Sequence, residues 1–316
     1  MERRSLLALG VGLGAVALAG RPTPTEAAAK LSAGDVAAGR RLFAAGAYKQ
    51  LDEVLPLLLA TAARSTDQGP ASAARAADVW ALASQLAVKH GRTEAAGAYA
   101  QRAGAAARRS GDPVVLALAA RAAATPLRRT GHTGEALHLL TEARAHLTTS
   151  SRPTPAELEA AGMAALTAAY TAALAHLPTT ACDFAAQAEE STHRLTRHPH
   201  PAGTWELTAD QCALYRIGIH RHLGEVDAAL AAARRLRPEH LPTAERRARA
   251  ATDTARALLA AGDVAGAFAQ LRLVEVAAPL EASRPSVCAL TARVAGLRPG
   301  LPGLSDYARR TTVSLL

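Results

Sequence analysis

The chain has 316 residues, a formal net charge of +9 and only 3% aromatic residues. About a quarter of it is alanine, the strongest helix former, and β-branched runs are scarce, so a sheet-based fold is excluded. The charge points to an anionic partner. Lys30, Lys49 and Lys89 are the only lysines, so arginine carries almost all of it. No long basic block occurs and no aromatics interleave with the arginines, which argues against direct nucleic-acid contact by this chain alone.

In chain order, Arg3-Arg4 precede an apolar, Gly-rich stretch that ends at Gly20, and small residues follow at Ala27-Ala28-Ala29. Residues 1–30 read either as a flexible linker or as an export segment that resembles a twin-arginine signal, cleaved near Ala29. The apolar stretch is shorter than the about 20 residues of a membrane-spanning helix. Gly10-Val11-Gly12-Leu13-Gly14-Ala15 fits a loose dinucleotide fingerprint, but that motif needs a preceding strand and a βαβ unit.

From residue 31 onward a short pattern recurs. A turn residue, usually glycine, is followed by a few polar residues, an alanine, and apolar positions four and seven residues later. It reads Gly91 with Ala96, Ala100 and Ala103, then Gly131 with Ala136, Leu140 and Ala143. It returns as Gly224 with Ala229 and Ala233, and as Gly262 with Ala267, Leu271 and Val274. Degenerate copies begin at Gly46 and at His176, where Ala181, Ala185 and Ala188 keep the small positions. Glycine ends one helix in a left-handed cap, an acidic residue favours the next N-terminus, and alanine lets the two helices touch. Trp80 stands eleven residues before its turn, where a large packing residue is expected, and Pro279 stands seventeen after the last.

These features resemble tetratricopeptide repeats, although the turns lie 38 to 48 residues apart rather than about 34. Proline-rich stretches around Pro153-Thr154-Pro155 and His198-Pro199-His200-Pro201 account for the excess length. The expected fold is all-α: a right-handed superhelical stack of about six tetratricopeptide-like helical hairpins over residues 31–312, capped by helices after Pro285 and Pro302.

A more specific likeness runs through Tyr215-Arg216-Ile217-Gly218-Ile219-His220, Leu223-Gly224-Glu225, Ala232-Ala233-Arg234-Arg235-Leu236-Arg237-Pro238 and Leu241-Pro242-Thr243-Ala244-Glu245-Arg246-Arg247. It is similar to the C-terminal tail of actinomycete helix-turn-helix transcriptional regulators of the xenobiotic-response-element type. The DNA-reading domain of those regulators has no counterpart before residue 31. The resemblance implies a cytoplasmic sensing or regulatory module; an exported scaffold is the alternative.

No catalytic constellation is legible. Gly-x-Ser-x-Gly is absent, and Glu189-Glu190 diverge on a helix. The eleven histidines form no HExxH or Cys/His quartet, so they read as surface or capping residues, and no metal or cofactor is expected. Cys182, Cys212 and Cys288 form no CxxC and read as buried free thiols.

What remains is a groove lined by the first helix of each hairpin. Aligned on the turns, its residues are Asp78, Gln85 and Lys89; Arg121, Thr125, Arg128 and Arg129; Tyr170; Gln211, Arg221 and His222; and Arg249 and Arg256. Arginine dominates, which suits a carboxylate or an acidic peptide. The expected partner is thus a protein or peptide, acidic for preference, with homodimerisation open.

Overall fold

The computed structural model describes residues 30–148, 152–197 and 206–313. The signal-like segment and fingerprint before Lys30, and the linker with His198 and His200, lie outside the described residues. Leu31 onward forms one compact unit. Among the described residues there are fifteen α-helices, one short 3-10 turn and no strand.

The first twelve helices form six hairpins, paired as α1 (Ala33–Ala44) with α2 (Tyr48–Ser65) and α3 (Pro70–Lys89) with α4 (Thr93–Ser110). Next come α5 (Pro113–Arg129) with α6 (Thr133–Leu147), and α7 (Pro155–Leu174) with α8 (Pro178–Leu195). The last two are α9 (Ala209–His222) with α10 (Val226–Arg235), and α11 (Ala244–Ala260) with α12 (Val264–Ala277). The short α13 (Pro279–Ala282) leads to α14 (Pro285–Leu297) and α15 (Leu304–Val313). The six turns fall at 46, 91, 131, 176, 224 and 262, the positions expected from the sequence.

One local motif closes every hairpin. The turn residue has positive φ, and the N–H after it donates to a carbonyl five residues back, as Arg92 does to Ala87 and Asp263 to Leu258, both at 2.9 Å. Five of the six turn residues are glycine; His176 holds the same conformation at φ 55°. Helix starts are equally local. Capping boxes form at Ser32/Asp35 and Thr154/Glu157, Thr208 and Thr243 cap α9 and α11, and prolines open α3, α5, α7 and α8.

The repeated alanines are the contact surface. Ala96, Ala100 and Ala103, and likewise Ala181, Ala185 and Ala188, are buried where the second helix meets the first. In the Gly224 copy Ala232 is buried, and Ala233 is only partly covered. Trp80 stacks on Tyr99 at 5.9 Å within its hairpin. Of the thiols only Cys212 is buried; Cys288 is partly covered and Cys182 is exposed, because it sits on the outer face of α8. At the far end Tyr307 of α15 packs edge-on against Phe268 and donates to the Leu271 carbonyl at 2.9 Å.

The two ends of the array meet. α1 packs against α11, and a Cβ on Gly46 would lie 2.9 Å from the Ala278 methyl. Pro285 touches the turn at Gly91. The first helices of the hairpins therefore enclose a space at the centre of the molecule.

Candidate functional site

The enclosed space is a cavity of about 490 Å³, within the roughly 300–1,000 Å³ typical of small-molecule sites. Eleven of the thirteen residues expected in the groove line it: Gln85, Lys89, Arg121, Thr125, Arg128, Arg129, Tyr170, Arg221, His222, Arg249 and Arg256. Asp78 and Gln211 lie elsewhere. Asp78 pairs with Arg40 of α1, and Gln211 is fully buried near the start of α9 with no partner for its amide among the described residues.

One end of the cavity is a nearly balanced ionic lock. Lys89 Nζ donates to Glu281 Oε1 at 2.6 Å and also bonds Glu245. The Tyr48 hydroxyl donates to Glu281, and Arg284 binds its other oxygen at 2.7 Å. Arg246 bridges Glu206 at 2.5 Å and Glu245 at 3.4 Å, while Arg121 stands 3.8 Å from Glu206. Burial would push both glutamates up, but Lys89 and the nearby arginines outweigh it and hold Glu245 and Glu281 below the usual carboxylate range. Four cations thus meet three carboxylates, and the lock ties α3 to α11 and α13.

The other end is not balanced. Arg128 and Arg249 lie over Tyr170, Arg221 and Arg256 stand by His222, Arg129 follows Arg128 on α5, and the carboxylate among them is Asp253. Asp253 binds Arg256 at 2.8 Å and Arg249 at 3.5 Å. Arg128 lies over the Tyr170 ring at 5.3 Å and donates to Thr171 and Thr125, both hydroxyls. Arg129 reaches the Val88 carbonyl at 3.3 Å. Arg221 contacts His222 Nε2 at 2.5 Å, and its buried Nε has no partner among the described residues. Burial, then the neighbouring guanidinium groups, push Arg128 down.

Two neutral-range groups respond to this field. Arg221, which can only donate, contacts His222 Nε2 at 2.5 Å, which puts the ring proton on Nδ1, and the Tyr170 hydroxyl lies 2.9 Å from the same nitrogen. Burial and then Arg221 push His222 down to about 4. It is therefore neither a surface nor a capping histidine: the fold turns it into the cavity. Burial would raise the Tyr215 phenol, but Arg249, Arg246 and Arg121 outweigh that and bring it to about 7. Tyr170 itself rests on α9 at Gly218, where a Cβ would lie 2.6 Å from its ring.

Sequence reasoning missed Tyr215, Glu245, Arg246, Asp253 and Arg284. Three of these had a signal: Glu245, Arg246 and Asp253 share the α11 stripe of Arg249 and Arg256 at helical spacing. Among the described residues, no three His, Cys, Asp or Glu side chains converge as a metal site would require, and no helix is long and apolar enough to cross a membrane.

The fold and cavity define an all-helical hairpin stack closed around an arginine-rich chamber. No protein-family model matches the chain, and none of the curated proteins compared with it is significantly similar.

Proposed function

We propose that the chain is a non-enzymatic ligand-binding module of tetratricopeptide type, whose central cavity takes an acidic peptide or another anionic ligand. In this reading it acts in the cytoplasm as the sensing part of a transcriptional regulator, and DNA is contacted by a partner or by another part of the protein. One observation carries the ligand: nine cationic side chains line a single cavity, against Glu206, Glu245, Asp253 and Glu281 as their carboxylate partners. Buried arginine forks of this kind are suited to charge-assisted binding of carboxylate or phosphate. The regulatory role is supported by the likeness of most of residues 31–310, and of 215–249 in particular, to regulator tails.

The test is calorimetric titration with a short acidic peptide and a neutral peptide of equal length, at two salt concentrations. Binding of the acidic peptide alone, weakened by salt, is expected. Full affinity retained after Arg121→Ala and Arg128→Ala together sinks the reading. A gel shift with this chain alone should show no DNA complex.

A further inference from the structure

The charge excess is greatest at one end of the cavity. At the lock, the four cations Lys89, Arg121, Arg246 and Arg284 face the three carboxylates Glu206, Glu245 and Glu281, an excess of one. At the Tyr170 end, five arginines face Asp253, an excess of four positive charges. Part of that excess is answered by the backbone. Arg128 and Arg129 end α5, Arg221 lies in the last turn of α9, and Leu174 of the same lining ends α7. Each helix C-terminus contributes about half a negative charge, so three of them answer about one and a half. The Tyr215 phenol, brought to about 7 beside Arg249, answers part of the rest near neutral pH, and about two positive charges remain.

The aromatic walls do not offer themselves to a ring. Arg128 and Arg249 lie over Tyr170, Arg249 lies over Tyr215 at 4.5 Å, and Lys89 lies over Phe43 at 5.4 Å. Recognition at this end is therefore by charge. A single carboxylate brings one charge and is served by one or two forks. A phosphate ester near neutral pH brings about two charges and three strong acceptor oxygens to one point. The buried Nε of Arg221 has no partner among the described residues, and Arg128 spends two of its donors on hydroxyl oxygens.

We propose that the cavity end framed by Arg128, Arg129, Arg221, Arg249 and Arg256 is a subsite for a phosphate-type dianion, carried by a small molecule whose remainder fills the chamber. This rests on the reading of the cavity as a ligand site, and narrows its occupant. The cavity volume of about 490 Å³ lies within the range of sites that take a phosphorylated small molecule.

The experiment titrates the purified chain with inorganic phosphate, phosphoserine, a phosphoserine-centred heptapeptide, acetate and hexaglutamate, followed by calorimetry and by phosphorus NMR. Phosphate and phosphoserine are expected to bind and acetate to remain silent. Arg128→Gln with Arg221→Gln should weaken phosphate by about tenfold or more, since charge-assisted hydrogen bonds are lost. Arg40→Gln, outside the cavity, should leave it unchanged. Arg128→Lys, which keeps the charge and the fold but loses the fork, should give an intermediate loss. Hexaglutamate binding without phosphate binding overturns the subsite but leaves the ligand-site reading standing; silence of every anion overturns both. Phosphate affinity unchanged in the well-folded Arg128→Lys and double variants overturns the location. A heptapeptide that binds more tightly than phosphoserine overturns the small-molecule assignment.

Discussion

Lys89 and Glu281 are 192 residues apart in the chain, yet their side chains meet at 2.6 Å in a buried contact. Glu245 shares the same ammonium, so one lysine from the second hairpin holds the last hairpin and the helix after it. Lys89→Met removes the ammonium that two buried carboxylates share, leaving Glu281 to Arg284 and Glu245 to Arg246. A loss of about 3–5 kcal/mol is expected in urea unfolding, a large share of the about 5–15 kcal/mol typical of a whole domain. A loss under about 1 kcal/mol would show that the lock does not close the array.

Stability should fall with acid in two stages. The folded pKa of His222, about 4, lies below its ordinary value, so between pH about 6.5 and 4 the unfolded chain takes up a proton that the fold refuses. Stability is therefore full above about 6.5 and declines as pH falls through that window. Below it, Glu245, Glu281 and Asp253, all held under their ordinary values, lose their contribution as they protonate. Urea midpoints measured at pH 7, 5 and 4 should drop less in His222→Gln than in the parent. Equal drops would refute the assignment of the first stage.

A tyrosine should ionise near neutrality. Tyr215 titrates at about 7 beneath Arg249, Arg246 and Arg121. Absorbance at the tyrosinate band should rise well before the about pH 10 of an ordinary phenol, and Tyr215→Phe should abolish that early step. Retention of the step in the variant would move it to another residue.

Gly218 carries Tyr170. Its replacement by alanine puts a methyl 2.6 Å from the ring, which must swing away from Arg128, Arg249 and His222. A destabilisation of about 1–3 kcal/mol and weaker anion binding are expected. Unchanged anion affinity would mean that the ring position does not matter to the cavity.

His176 is the non-glycine turn residue with positive φ among the described residues. Its left-handed conformation costs about 1–2 kcal/mol, partly offset by the greater freedom glycine has when unfolded. His176→Gly should therefore raise stability by about 0.5–1 kcal/mol, read as a higher thermal midpoint. A lower midpoint would show that the imidazole makes a stabilising contact.

The hairpins were legible because their causes are local. A left-handed cap favours glycine, and a helix–helix contact demands a small residue at fixed spacing from it, so Gly91 with Ala96 announces itself. Even the His176 turn was found, through Ala181, Ala185 and Ala188. The cavity lining followed from the turns by helical phase, which is why Arg121, Arg128, Arg249 and Arg256 fell into place. Phase says nothing of height along a helix or of distant neighbours. Asp78 lies eleven residues before Lys89 on α3, too far along the axis to share its surroundings. The lock joins Lys89 to Glu245 and Glu281 by closure of the whole array, and no local pattern in one sequence marks such a meeting.

Open solenoids gain and lose units freely, because each unit touches only those beside it. Here α1 rests on α11 and Tyr48 reaches Glu281, so every hairpin also helps set the circumference. Duplication or deletion of one would carry Lys89 out of reach of both its glutamates. Copy number in this protein is thus fixed by geometry, and its descendants should diverge by substitution within six hairpins rather than by growing a seventh.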